Sequence, residues 1–383
     1  MSDHLLEDLS PAGRDLRAFT DELRPAHAVV RNDRGEYVLL RHADVRGAAL
    51  DDGTFSSAVS AHLHIPNGLD GEEHAAYRAA LDPFLTPEAI APYHDAFVRV
   101  AEGLARELPL GVPVEAVTQI GARFAVRAQS AWLGWSADLE GPLVEWVARN
   151  HAATRSGDRA RTASVAAEFD AVIASVLAPR RSASGEVVGD DVTAEVMRTR
   201  VHGRPLTTAE ITSVLRNWTG GDLGSIALCV GVILHHLAAD AALAARLRAG
   251  VSDAELDAVL DEILRIDDPF VTNRRVTTCP VEVAGVALPA GARVKLNWTS
   301  ANRDEAVFGD PDAFDPDANA PHNLVYGVGR HACPGRVLAT VELRIAVRAL
   351  LAATSAIEPA SDREFNREVF PVGGWADVWV VLS

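Results

Sequence analysis

Ten consecutive residues, YGVGRHACPG at positions 326–335, gather three glycines, a histidine and Cys333, one of three cysteines in a chain of 383 residues. The segment after Cys333, PGRVLATVELRIAVRALL, repeats its apolar residues at helical spacing, with Leu338, Val341, Ile345 and Ala349 on one face. Pro334 suits a first helical turn, where its missing N–H is no loss. Cys333 is therefore expected at a helix N-terminus, where the positive dipole end lowers a thiol pKa and favours thiolate, the form that ligates metal. A buried structural cysteine is the competing reading. The stretch also contains GVGRHA, which fits a dinucleotide fingerprint, but the Pro- and Asp-rich DPDANAPHNLV before it is no convincing buried strand. Two further patterns matter. Glu262 and Arg265 in EILR stand one helical turn apart and so share a face. Gly220, Gly221 and Gly224 interrupt the long apolar segment EITSVLRNWTGGDLGSIALCVGVILHHLA (210–238), each costing about 1 kcal/mol relative to alanine. Either a ligand needs room there or a neighbouring helix packs closely.

The elements that must position these residues are mostly helical. The 210–238 segment predicts one helix of roughly 43 Å, long enough to cross the molecule. Helical periodicity dominates from about 74 to 267, and the stretch 55–73 shows no steady period. AVVRNDRGEYVLL (28–40) reads as a hairpin turning at Asn32 to Gly35, and VEVAGVALPAGARVKLN (281–297) alternates around Gly285. VFPVGGWADVWVVL (369–382) predicts a further hairpin near the C-terminus. No linker or repeat divides the chain, so a single domain over 1–383 is expected, mainly α with small β-sheets (α+β). The composition excludes several functions. Thirty-six basic against fifty-three acidic side chains give a net charge of −17, which disfavours nucleic acid or anionic membrane as a partner. Cys229, Cys279 and Cys333 form no CxxC or CxxCH, so a disulfide framework, a four-cysteine zinc site and covalent haem by that route are out. The N-terminus MSDHLLEDLSPAGRDLRAF lacks the apolar core of a signal peptide, and SIALCVGVILHHLA (225–238) is short of a membrane span, so a soluble cytoplasmic protein is expected.

YGVGRHACPG resembles the haem-binding signature FGxGxHxCxG of the cytochrome P450 family, with Tyr326 in place of the usual Phe. EILR looks like the family's ExxR pair, about 70 residues ahead of the cysteine, and HAAYR (74–78) matches its HxxxR. RRVTTCPVEVAGVALPAGARV and ANRDEAVFGDPDAFDPD (301–317) are similar to the family's approach to the haem loop. The resemblance runs in consistent order from roughly residue 11 to the C-terminus. It implies the P450 fold with its long central helix over the haem. It makes Cys333 the proximal iron ligand of a non-covalent haem b (iron protoporphyrin IX), with Tyr326, Gly327 and Gly335 shaping the cofactor loop. It assigns His74, Arg78, Arg275 and His331 to the anionic propionates, which arginine forks suit. Glu262 and Arg265 are then a structural pair. The implied activity is that of an oxidoreductase, a monooxygenase in oxidative tailoring of a natural product (secondary metabolite biosynthesis). Electrons would come from NAD(P)H through a ferredoxin reductase and a ferredoxin, and a monomer is the family default.

Two departures stand out. The family usually carries [AG]Gx[DE]T[TS] in the central helix, an acid–alcohol pair that helps deliver protons to dioxygen. Matching the glycines puts Leu223 at the acid and Gly224 at the alcohol, whereas matching the downstream helix end puts Gly224 at the acid and Ser225 at the alcohol, with Gly221 and Asp222 just before them; neither register retains the acid. Asp222 lies one or two residues from the acid position, turned about 100–200° around the helix. Ser225 is the preferred alcohol. Ala318 stands where the family often has an arginine that joins the ExxR network. The missing acid opens an alternative outcome, oxidative aryl or phenol cross-linking of aromatic residues in a peptide without oxygen insertion. A catalytically inactive recruitment module is the non-enzymatic alternative, against which retention of Cys333 argues. Ala58, His62, His64, Phe270 and Trp375 are the candidate substrate contacts for a small-molecule or peptide substrate. Arg330, Arg336 and Arg344 offer either a basic docking patch or a solvated helix face.

Overall fold

Six helices position the residues of interest in the computed structural model, which describes residues 15–32, 34–60 and 62–383. They are α1 (Gly71–Leu81), α2 (Arg123–Leu133), α3 (Glu140–Ser156), α4 (Thr208–Ala239), α5 (Asp253–Ile266) and α6 (Arg336–Ala353). The residues 1–14 read for a signal sequence lie outside the described residues. Helix α4 begins where the sequence supplies a reciprocal cap. Thr207 accepts from the Glu210 N–H while the Glu210 side chain accepts from the Thr207 N–H, satisfying two otherwise orphaned donors. Ser252 caps α5 with its side chain alone, accepting from the Glu255 N–H.

Helix α4 is 32 residues long. By length and composition it could cross a membrane, contrary to the shorter apolar run read from the sequence. Here 72% of its most apolar window is buried inside the protein, with α2, α3, α5 and α6 packed around it. Its apolarity is that of a core helix, hydrophobic nearly all round because neighbours cover nearly every side. The shorter Arg159–Arg180 segment passes the same test.

The sheets are small. Strands β1 (Val29–Arg31) and β2 (Tyr37–Leu39) form the expected hairpin, pairing Val30 with Val38. With β3 (Phe55–Ser56), β4 (Thr272–Thr277) and β5 (Arg293–Asn297) they build one five-stranded sheet in the order β1-β2-β5-β4-β3. The β4–β5 register sets Arg275 opposite Val294 and buries the arginine beneath the sheet's edge. The C-terminal hairpin is not formed as expected. Trp375–Asp377 pairs with Asn366–Arg367, and Trp379–Leu382 pairs instead with Ile357–Pro359 and with Pro113–Glu115.

Candidate active site

The cysteine loop is held by its own backbone. The Cys333 N–H donates to the Tyr326 carbonyl at 2.8 Å, and the Gly327 N–H donates to the Leu324 carbonyl at 2.8 Å. Gly327 and Gly329 adopt φ of +68° and +76°, left-handed conformations that tolerate little besides glycine. A Cβ at Gly329 would also stand 3.0 Å from the Leu50 side chain, so this glycine lets the loop lie against the helix His42–Leu50. Gly335 needs no such conformation, and a Cβ there would lie 3.8 Å from the Cys333 sulfur. The helix itself starts at Arg336, with Gly335 as its N-cap. Cys333 thus precedes the first turn rather than joining it. Burial raises its thiol pKa, against a lowering backbone hydrogen bond with Gly335. At this sulfur burial outweighs what favours the thiolate.

Facing the loop is a cavity of about 520 Å³. Its floor is Tyr326, Gly327, His331, Cys333, Pro334 and Gly335, and its roof is Trp218, Gly221, Asp222, Ser225, Ile226 and Cys229 of α4. Arg275 enters from β4. Its guanidinium is buried, with burial pushing its pKa down, and no carboxylate pairs with it among the described residues. A buried cation of this kind fits an anion that the protein does not itself supply. His331 sits beside it, and His74 packs on His331 with ring centroids 4.2 Å apart and planes tilted by 39°. Burial and neighbouring cations hold His331 at about 4, and burial lowers His74 too, so both are neutral donors at neutral pH. The Nδ1 of His74 is buried without a partner. Arg78 instead grips the loop, donating to the Arg330 and Ala332 carbonyls and pairing with Asp82. Of the four residues assigned to propionates, Arg275 and His331 line the cavity, while His74 and Arg78 back it. A flat, dianionic, sulfur-seeking group such as haem fits this donor set: a thiol on the floor, a buried arginine at the rim and the His331 imidazole beside it.

Helix α4 turns its glycines to different tasks. Gly221 and Ser225 line the cavity, as does Asp222. Gly220 faces Trp146 and Phe169, at 3.6 and 3.7 Å from a built Cβ, and Gly224 faces His151 of α3. A Cβ on Gly224 would stand 2.9 Å from the His151 Nε2, which hydrogen-bonds the Gly224 backbone. Close packing therefore explains Gly224, whereas a Cβ at Gly220 would make only ordinary contacts, and His151 fills the space that a side chain at Gly224, the acid position in the preferred register, would need. Burial lowers His151 to about 4, keeping it neutral. Restoring the acid with Gly224→Asp is expected to destabilise by about 1–3 kcal/mol through overpacking. In a His151→Ala background, measured by denaturant unfolding, much of that cost should disappear.

Three functional neighbours escaped the sequence reading. His151 is one. Gln129 of α2 donates its amide to Asp222, and Glu342 of α6 is fully buried within electrostatic reach of that carboxyl. Burial raises Asp222 to about 7, and burial together with Asp222 pushes Glu342 well up. Of the candidate substrate contacts, His64 and Phe270 line the cavity. Trp375 stacks on His235 at 4.1 Å instead, and Ala58 and His62 are not among the lining residues. Arg336 pairs with Asp261, Arg344 with Asp257 and Arg330 with Asp52, which favours a solvated, ion-paired face over a free basic patch.

Beneath the loop, Glu262 and Arg265 form a buried bidentate pair at 2.8 Å. Arg265 also donates to the carbonyls of Asn302, Pro311 and Ala313. Next to Ala318, Asn319 donates to Glu262 at 2.7 Å. Asn302 carries the network onward, its Oδ1 accepting from the Leu324 N–H at the entrance to the cysteine loop.

Comparison with known proteins places the chain in a family. A family model described as Cytochrome P450 matches residues 255–366. Cytochrome P450 130 of Mycobacterium tuberculosis is 30% identical over 392 residues, covering 91% of this chain and 89% of that protein. Cyclomarin C epoxidase CymV of Salinispora arenicola is 28% identical over 365 residues, covering 90% of each. The solved structure of a P450 EryK mutant in complex with erythromycin B superposes with a TM-score of 0.83 at 25% identity, covering 96% of each chain. The chain belongs to the cytochrome P450 family of haem-dependent oxidoreductases.

Proposed function

We propose that this protein is a monooxygenase that tailors a natural product, with the entire 383-residue chain acting as one catalytic domain. The observation that carries the reading is the cavity itself. It is lined by Cys333 from the loop and by Gly221, Asp222 and Ser225 from α4. Haem b bound there supplies the redox-active iron that reduces and splits dioxygen, with thiolate as the donor that favours O–O cleavage. Cys333 is the iron ligand in this reading. Arg275, as a permanent cation, and His331, as a neutral donor, hold the propionates. His74 orders the His331 ring, and Arg78 fixes the loop through its carbonyls. Gly221 leaves space for dioxygen, and Ser225 offers the hydroxyl that orders water beside it. Trp132, Trp218 and Phe270 give the substrate an aromatic wall, which excludes bulk water.

The natural-product class is supported by the cyclomarin epoxidase relative and by the EryK complex with erythromycin B. Electrons are taken from NAD(P)H through a ferredoxin reductase and ferredoxin. The protein works as a cytoplasmic monomer. Incubation with candidate products of neighbouring biosynthetic genes, under labelled dioxygen and with a surrogate redox system, tests the reading. A product heavier by one labelled oxygen is expected. A product lighter by two hydrogens and free of label would indicate aryl coupling instead, and no product with any substrate under full reduction would favour the recruitment module.

A further inference from the structure

The cavity wall carries a cation that the chain does not balance. Acidic side chains outnumber basic ones by 53 to 36, and exposed arginines such as Arg330 and Arg336 each pair with an aspartate. Arg274 is exposed where β4 lines the cavity, yet its guanidinium has no hydrogen bond or ion pair among the described residues. Strand alternation turns it to the face away from Arg275. Across the β4–β5 register stands Lys295, whose ammonium pairs with Glu36 at 2.9 Å. Like charges so placed repel, and Glu36 also accepts from Asn32, so the neighbouring strands offer Arg274 no counter-charge. Asp222 is the one carboxyl among the lining residues, and it accepts from Gln129.

The loop that brings His64 to the same cavity is fixed to α4. On either side of His64, Ser213 donates to the Leu63 carbonyl at 3.1 Å and accepts from the Ile65 N–H at 2.9 Å. Asn217, one turn further along α4, donates its amide to the Ile65 carbonyl. Burial lowers the His64 pKa, a hydrogen bond with Asn217 raises it, and the cations Arg274 and Arg216 lower it again. His64 is therefore neutral at neutral pH, and the charges acting on it are cations alone. Arg216 is paired with Asp170, which leaves Arg274 without a partner. A fixed, neutral loop together with Trp218 and Phe270 shapes a pocket for an apolar body, and the free guanidinium supplies its one charged contact.

We propose that Arg274 binds a carboxylate on the substrate, so that the molecule oxidised here is an organic acid with an apolar or aromatic body. This substrate class rests on the monooxygenase reading. A guanidinium fork meets both oxygens of a carboxylate in one plane and balances its single charge. A dianion such as a phosphate monoester would leave one charge unbalanced, since Arg275 lies on the other face of the strand. Anchoring one end of the substrate also limits which part of its body reaches Gly221 and Ser225.

Titration of the haem-loaded protein with ω-imidazolyl alkanoic acids of graded chain length, and with the matching alcohols, tests the anchor. The imidazole end reports binding through the haem spectrum. At the chain length that fits best, the acid is expected to bind wild type at least about tenfold tighter than its alcohol. In Arg274→Ala the two should bind within about twofold of each other, with haem content unchanged, and Arg274→Glu should favour the matching amine. Wild type that takes the acids no better than the alcohols overturns the proposal, whether both bind or neither. So does a preference that survives Arg274→Ala, or tighter binding of the matching alkyl phosphate. Loss of haem from Arg274→Ala overturns it too, by giving the arginine to the cofactor. The titration needs no turnover, so a failure to form labelled product would remove the monooxygenase reading and leave the measured acid preference standing.

Discussion

Arg265→Ala is expected to yield little folded, haem-retaining protein. Arg265 is fully buried, shares both oxygens of Glu262, and satisfies the carbonyls of Asn302, Pro311 and Ala313. Its removal leaves Glu262 as an uncompensated buried charge and strips three carbonyls of their donor. Breaking such a pair costs about 3–5 kcal/mol. Against a total stability of about 5–15 kcal/mol, that is a large share. The carbonyls freed belong to the segment that leads into the cysteine loop, so the loop should loosen before the rest of the fold. Soluble yield and the denaturant midpoint measure the first effect, and the haem-to-protein absorbance ratio measures the second. Arg265→Lys is not expected to rescue, because an ammonium cannot span two carboxylate oxygens and three carbonyls in one plane. Wild-type stability in either variant would contradict the structural role given to the pair.

Cys333→Ser is expected to spare the fold and abolish oxygen insertion. The thiol lies in the cavity wall rather than in the packed core, and its backbone N–H, not its side chain, closes the loop onto Tyr326. Serine can keep that backbone bond. It cannot supply a polarisable anion, because an alcohol stays protonated where a thiol bound to iron does not. Product formation should fall by more than about 100-fold, since even partners one shell removed from a metal typically cost 10–100-fold. Circular dichroism and thermal unfolding should change little, and that contrast separates this variant from Arg265→Ala.

The residues legible in the sequence are those whose partners lie nearby along the chain or whose order repeats a known pattern. Cys333, Gly327 and His331 fall within ten residues, and Glu262 and Arg265 within one helical turn. The long helix announced itself by the apolar run over 210–238, even though Gly220, Gly221 and Gly224 interrupt it. What stayed hidden depends on contacts between distant segments. His151 and Gly224, Gln129 and Asp222, and Asn319 and Glu262 meet only when helices pack. Glu342 was hidden differently: on a helix of mixed polarity its carboxyl reads as surface, yet it is fully buried. The C-terminal strands were misplaced for the same reason, because Trp379–Leu382 finds its partner at Pro113–Glu115 rather than across the adjacent turn. Sequence spacing registers neighbours; it carries no record of which face a remote helix will cover.

Carbon monoxide added to the reduced, haem-loaded wild-type protein reads the ligand on the iron directly. A Soret band at the long-wavelength position of thiolate-ligated haem is expected, and Cys333→Ser should lose it. A wild-type band at the position of histidine-ligated haem, a band unchanged by Cys333→Ser, or a protein that stays colourless when supplied with hemin would contradict ligation by Cys333.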